Sequence, residues 1–168
     1  ADSFLYVADL ASGKLLIQKD AVGFMLWSGT KEGETHRPHS GLLNAHLFNI
    51  RFKQANEEVL VTAIGKSTAY RNYFIGNNTA RWKSHVGLFQ KITYHQIWKG
   101  IDAAFYGSGD ALKYELTIQA HQPMNSVSVI QLNYEGIDRL QLVNGELRYQ
   151  TSVGDFRDLS PYAYQVIN

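Results

Sequence analysis

The chain has no cysteine and only 3 prolines in 168 residues. Without thiols there is no disulfide framework, no thiolate metal site and no cysteine nucleophile. A chain of this length buries roughly 70% of the surface its unfolded form exposes, so it folds around an apolar core without such staples. The redox compartment therefore stays open, because a core of this size needs no disulfides even outside the cell. Charge of either sign is also in short supply: 16 Lys and Arg oppose 15 Asp and Glu, for a net +1, and they are scattered singly. That pattern lacks the clustered cations of a nucleic-acid face or a polybasic membrane anchor, so neither is an expected partner. No apolar run approaches the ~18 residues of a membrane-spanning helix. Phosphate loops, dinucleotide fingerprints and the Gly-x-Ser-x-Gly elbow are absent too, which lowers the prior for the commoner enzymes.

Period two dominates what is present. In "LKYELTIQ", Leu112, Tyr114, Leu116 and Ile118 alternate with Lys113, Glu115, Thr117 and Gln119, the pattern of a strand with one buried and one wet face. "AHLFNIRFKQ" sets His46, Phe48, Ile50 and Phe52 against Leu47, Asn49, Arg51 and Lys53. With "EEVLVTAIG" following Ala55 and Asn56, these two runs predict a hairpin. Asn144-Gly145 between "RLQLV" and "ELRYQT" supplies the positive φ angles of a tight two-residue turn, and predicts a second hairpin. "IDAAFYG" joins the alternating strand through Gly107 to Asp110, and "KLLIQKDAVGFMLW" turns near Asp20. Between Ser28 and Gly41 the chain is polar and rich in breakers, an exposed loop. Helix signals are poor, and even "LFQKITYHQI" reads as a strand or a single turn from its β-branched and aromatic content.

Eight to twelve short strands with a turn signal about every 10 residues predict an all-β sandwich or barrel with little or no helix, of which an antiparallel β-sandwich is the expectation. Residues 1–168 read as a single domain, with two sub-sheets meeting near Thr68 to Arg81. The chain begins at Ala1 and ends in "PYAYQVIN", within what reads as a strand, so it is expected to be a fragment or processed part of a larger polypeptide.

Candidate chemistry is sparse. His36 and His39 flank Arg37 and Pro38 without a completing carboxylate pair, and a solvated loop accounts for them; no metal or cofactor is expected. His46 falls on the apolar face of its strand, as a hydrogen-bonded core histidine does. His85, His95 and His121 are scattered. Asp102 and Glu115 lie on two strands joined by one turn, where a pair of carboxylates could flank a glycosidic bond at ~5 to 10 Å. The bland reading is that Glu115 is a charge on a wet face. Asp110, beside Gly109, is first a turn residue.

Aromatics are plentiful: 10 Tyr, 8 Phe and 3 Trp. They concentrate in "NYFIGNNTARWKSHVGLFQKITYHQIWKGID", Asn72 to Asp102. Exposed rings on a β-sandwich stack on sugars or anchor protein partners. Trp82 follows the Asn77-Asn78 turn between Arg81 and Lys83, and these five residues form the candidate binding site. Ile97 and Trp98 look like core, and Tyr162 and Tyr164 after Pro161 are expected to pack as a strand enters a sheet.

Laid in order, "NYFIGNNTARW", "ITYHQIWKGIDAAFYGSGDALKYELTI", "IQLNYEGIDRL" and "NGELRYQTSVGDFRDLSPYAYQ" resemble an uncharacterised domain of large secreted bacterial proteins, over about residues 42–165. That domain often precedes β-propeller (SBBP) repeats, immunoglobulin-like modules and a gliding-motility or type IX sorting domain of Bacteroidota type. The resemblance implies an extracellular or cell-surface location and carries no catalytic residues. This chain departs from the pattern where "LTIQAHQPMN" supplies Pro123 without a following Gly, and where it ends three residues after Gln165.

The resulting expectation is a non-catalytic β-sandwich module acting in assembly or adhesion, with another protein chain or the rest of its own polypeptide at the C-terminal edge. The alternatives are a carbohydrate-binding module working through Trp82, and a glycan hydrolase using Asp102 and Glu115.

Overall fold

The structure is a computed structural model and describes residues 4–28, 44–108 and 111–165. The His36 and His39 pair, most of the predicted 28–41 loop, and Gly109-Asp110 lie outside the described residues. Every sheet is antiparallel, and the only helical elements described are short 3-10 turns at Thr79–Arg81 and Met124–Val129. The fold is an all-β sandwich, with fourteen strands among the described residues rather than eight to twelve. No helix among these residues is long and apolar enough to cross a membrane.

The chain divides into two compact units, residues 1–53 with 132–168 and residues 54–131, so the division falls on either side of the expected 68–81 region. In the first unit a five-stranded sheet has the order β1-β2-β3-β4-β11, from β1 (Tyr6–Leu10), β2 (Gly13–Ile17), β3 (Ala21–Trp27), β4 (Ala45–Phe52) and β11 (Leu132–Glu135). The same unit holds a three-stranded sheet of β12 (Arg139–Val143), β13 (Glu146–Thr151) and β14 (Gly154–Asp158), in that order. The predicted hairpins at Asp20 and at Asn144-Gly145 both form, with Ile17 opposite Val22 and Val143 opposite Glu146. Asn144 and Gly145 have φ of 53° and 82°, and a Cβ on Gly145 would come within 2.7 Å of the Ser160 hydroxyl. Both the turn and its packing therefore call for glycine.

Register sends one face of the five-stranded sheet inward. Leu15, Ile17, Val22, Phe24, Leu26, Phe48 and Phe52 are buried there. Phe24 and Phe48 stack with centroids 4.7 Å apart, and Tyr149 of the three-stranded sheet meets Phe48 edge-on at 5.5 Å. Facing sheets thus share their aromatic side chains, which is how a sandwich excludes water. His46 lies on this face as expected, with Nδ1 2.9 Å from the Ser152 hydroxyl and Nε2 2.6 Å from the Gly136 carbonyl.

The second unit contains a four-stranded sheet in the order β10-β9-β8-β5, from β5 (Leu60–Ile64), β8 (Lys91–Trp98), β9 (Ile101–Ser108) and β10 (Ala111–Ile118). A two-stranded sheet, β6 (Tyr70–Tyr73) with β7 (Lys83–Gly87), completes it. The expected hairpin of "AHLFNIRF" with "LVTAI" does not form, because β4 pairs with β3 and β11 while β5 pairs with β8. Each strand finds a partner distant in sequence because burial, rather than proximity along the chain, selects neighbours once several strands compete. β9 and β10 do pair, from Ile101 opposite Ile118 to Ser108 opposite Ala111. The predicted alternation of β10 holds in direction, with Tyr114 beside Phe105 at 5.9 Å. Its apolar side is only partly buried, however: β10 is the sheet edge, and Tyr114 and Ile118 are exposed.

Candidate functional site

The aromatic-rich stretch separates into a buried part and an exposed one. Tyr94, Ile97, Trp98 and Ile101 are buried, as expected of Ile97 and Trp98. Between Tyr94 and Trp98 the register of β8 against β9 shifts, and Gln96 sits at φ 49°. The Gln96 amide, displaced from the ladder, donates to the Asp102 carboxylate at 2.7 Å. Asp102 therefore holds a bulge closed.

The exposed part is the β6–β7 hairpin and its tip. Asn78 takes the N-cap position of the 79–81 turn, its Oδ1 accepting from the Ala80 amide at 3.1 Å. Directly after the turn, Trp82 donates from Nε1 to the Gly76 carbonyl at 3.1 Å, and its ring meets Phe74 at 5.3 Å with 60° between planes. Nearer the strands, Asn72 Oδ1 accepts from the His85 amide at 2.9 Å, and His85, at φ 56°, stacks on Tyr70 at 4.4 Å. Asn77, Arg81 and Lys83 are exposed, and the two cations meet no carboxylate among the described residues. The five predicted residues thus lie around one tip, with Asn78 and Trp82 shaping it and the other three displayed.

Sequence reasoning missed Ile75, 75% exposed, and Phe74, 58% exposed, which together present more apolar surface than Trp82 at 40%. Their signal was the run "YFI" ahead of a Gly-Asn turn, which alternation alone assigns to a core as readily as to a surface. Tyr162 and Tyr164 overturn their expectation: they stack on each other at 6.0 Å in a segment without strand pairing, and both stand in solvent.

Asp102 and Glu115 do share a face of the four-stranded sheet, since Glu115 is opposite Ala104, two residues from Asp102. Their environments differ from those of an acid and base pair. Glu115 accepts a short hydrogen bond from the Tyr106 hydroxyl and a contact of 3.4 Å from Lys91, and these hold its carboxyl below the usual range. A general acid needs the opposite shift. The carboxylate pushed upward is Asp158, raised by burial in the first unit against the opposing hydrogen bonds of Tyr134 and Tyr149.

These features define an all-β domain that presents aromatic and apolar side chains at the tip of one hairpin. The chain belongs to the family described as a domain of unknown function, DUF7948, whose model matches residues 1–168. No curated protein and no solved structure matches it.

Proposed function

We propose that this domain is a non-catalytic module of a secreted or cell-surface protein, engaging another protein chain in assembly or adhesion through the β6–β7 tip. The observation that carries this reading is the joint exposure of Phe74, Ile75 and Trp82 on one small element. Apolar and aromatic side chains grouped this way are the anchors from which protein interfaces draw most of their affinity. Arg81, Lys83 and Asn77 around them supply the polar rim. The tip fits a sugar less well: Phe74 and Trp82 are inclined at 60° rather than forming one flat platform, and the indole N–H is engaged by Gly76. Location at the cell surface, in a gliding-motility or type IX context, is supported by the ordered motifs of the sequence. A second contact surface is the outer edge of β14 with the following Leu159, Tyr162 and Tyr164, all exposed.

The test is affinity capture from the secreted and surface proteins of the producing cell, using the wild-type chain, Ile75→Asp and Trp82→Ala. A stoichiometric protein partner held by wild type and lost by Ile75→Asp is the expected result. Equal retention by both variants, or no protein partner, overturns the reading. Polysaccharide binding abolished by Trp82→Ala would replace it with a carbohydrate-binding module.

A further inference from the structure

The three-stranded sheet of the first unit has an outer face whose composition its fold does not require. Register lines up two rows across β12, β13 and β14: Arg139, Gln150 and Asp155 in one, Gln141, Arg148 and Arg157 in the other. All six side chains are exposed, and they line one shallow depression. Arg148 and Arg157 are directly opposite each other, a like-charge pairing that destabilises a sheet. Glu146 relieves it in part, at 3.2 Å from Arg148 and 3.7 Å from Arg157. Arg139 meets no carboxylate among the described residues. Leu147, Tyr149 and Phe156, which carry the apolar packing of the sheet, belong to the other face.

We propose that this face binds an acidic polysaccharide, a polymer of uronic acids, with Arg139 and Arg157 holding carboxylates and Gln141, Gln150 and Asp155 holding hydroxyls. A guanidinium presents a planar fork of donors that matches a carboxylate in two parallel hydrogen bonds. Adjacent strands are ~4.8 Å apart and rows on one face ~6.6 Å apart, so Arg139 and Arg157 stand two strand spacings apart across the sheet and one row apart along it. Anionic groups separated by neutral hydroxylated carbons suit that interval. Asp155, within the same depression, repels a densely charged polyanion but accepts hydrogen bonds from sugar hydroxyls. An acidic protein partner is less well matched, because Tyr149 and Phe156, which also border the depression, belong by register to the other face and leave the two rows without an apolar anchor. The face lies on a different unit from the β6–β7 tip, and it stands or falls independently of the function proposed for that tip.

The experiment uses the full 168-residue chain with alginate as the uronate probe. Carboxyl-reduced alginate and poly-glutamate serve as the comparison ligands, with binding followed by calorimetry at two ionic strengths. Alginate binding that weakens with salt, disappears on carboxyl reduction and falls roughly tenfold or more in Arg139→Gln/Arg157→Gln supports the proposal. Both positions are exposed, and an unchanged thermal midpoint confirms that the variant is folded. The single variant Arg139→Gln, which breaks no ion pair, is expected to lose a smaller part of the affinity. No binding to alginate, binding indifferent to both variants, or poly-glutamate bound as tightly as alginate would each overturn it.

Discussion

Residues 72–82 and 94–102 come from one continuous aromatic-rich stretch and have opposite fates. Tyr94 and Trp98 are buried, while Phe74, Ile75 and Trp82 stand in solvent. Composition does not separate them. The strands on either side do: β8 has β5 and β9 as neighbours, whereas among the described residues β6 and β7 pair only with each other. A ring on an interior strand is covered by cross-strand rings, as Tyr94 is by Phe105 at 5.8 Å. On a two-stranded ribbon, which buries little by itself, the same ring remains accessible. Aromatic density in a β protein is therefore evidence of function only when the position of its strand in the sheet is known.

The largest effect expected from this contrast is on stability. Tyr94→Ala should cost about 3–5 kcal/mol, as truncation of a fully buried ring does, read as a shift of the urea midpoint. A cost below about 1 kcal/mol would mean that the two halves of the stretch do not differ as described. Next comes Asp102→Ala, which removes the acceptor of the Gln96 amide at the bulge. Gln96 is exposed, so water replaces that acceptor and the cost should be about 0.5–1.5 kcal/mol, with no change in any binding activity. If Asp102→Ala abolished a hydrolytic activity while leaving stability intact, the carboxylate would have a chemical role instead. On the exposed half, Trp82→Ala and Ile75→Asp should each shift stability by no more than about 1 kcal/mol while removing partner binding.

The smallest effect is on protonation at the sheet edge. Glu115 is held below the ordinary carboxylate range chiefly by Tyr106, with Lys91 assisting. A depressed pKa means that the unfolded chain binds the proton more readily. The stabilisation is therefore complete above the unfolded value and is lost as pH falls through the folded one. Tyr106→Phe should move the Glu115 titration upward in an NMR experiment and flatten this acid loss. An unmoved titration would show that the Tyr106 hydrogen bond is not its main cause.

Much of the local structure was legible. The Asn144-Gly145 hairpin, the turn near Asp20, the strand character of "LFQKITYHQI", the inward His46 and the buried Ile97 and Trp98 all follow from turn chemistry and alternation over a few residues. The failures share one cause. Alternation pairs "AHLFNIRF" with the next strand along the chain, puts Tyr162 and Tyr164 in a sheet and gives Ile118 a buried face; each of these depends on a neighbour that alternation does not name. The candidate site was legible as a location, since Asn77, Asn78, Arg81, Trp82 and Lys83 do gather at one tip. Its principal apolar members, Phe74 and Ile75, were not, because exposure is a property of the surroundings.

Period-two patterning and turn residues settled that this is a β protein and where several of its strands reverse, because both signals act between residues a few positions apart. Which strands became interior and which edge, and hence which rings became core and which surface, required the assembled sheets. So did the gathering of Arg139, Arg148 and Arg157 on one face: arginines spaced along three strands come to share a surface only when the hydrogen-bond register turns them to the same side.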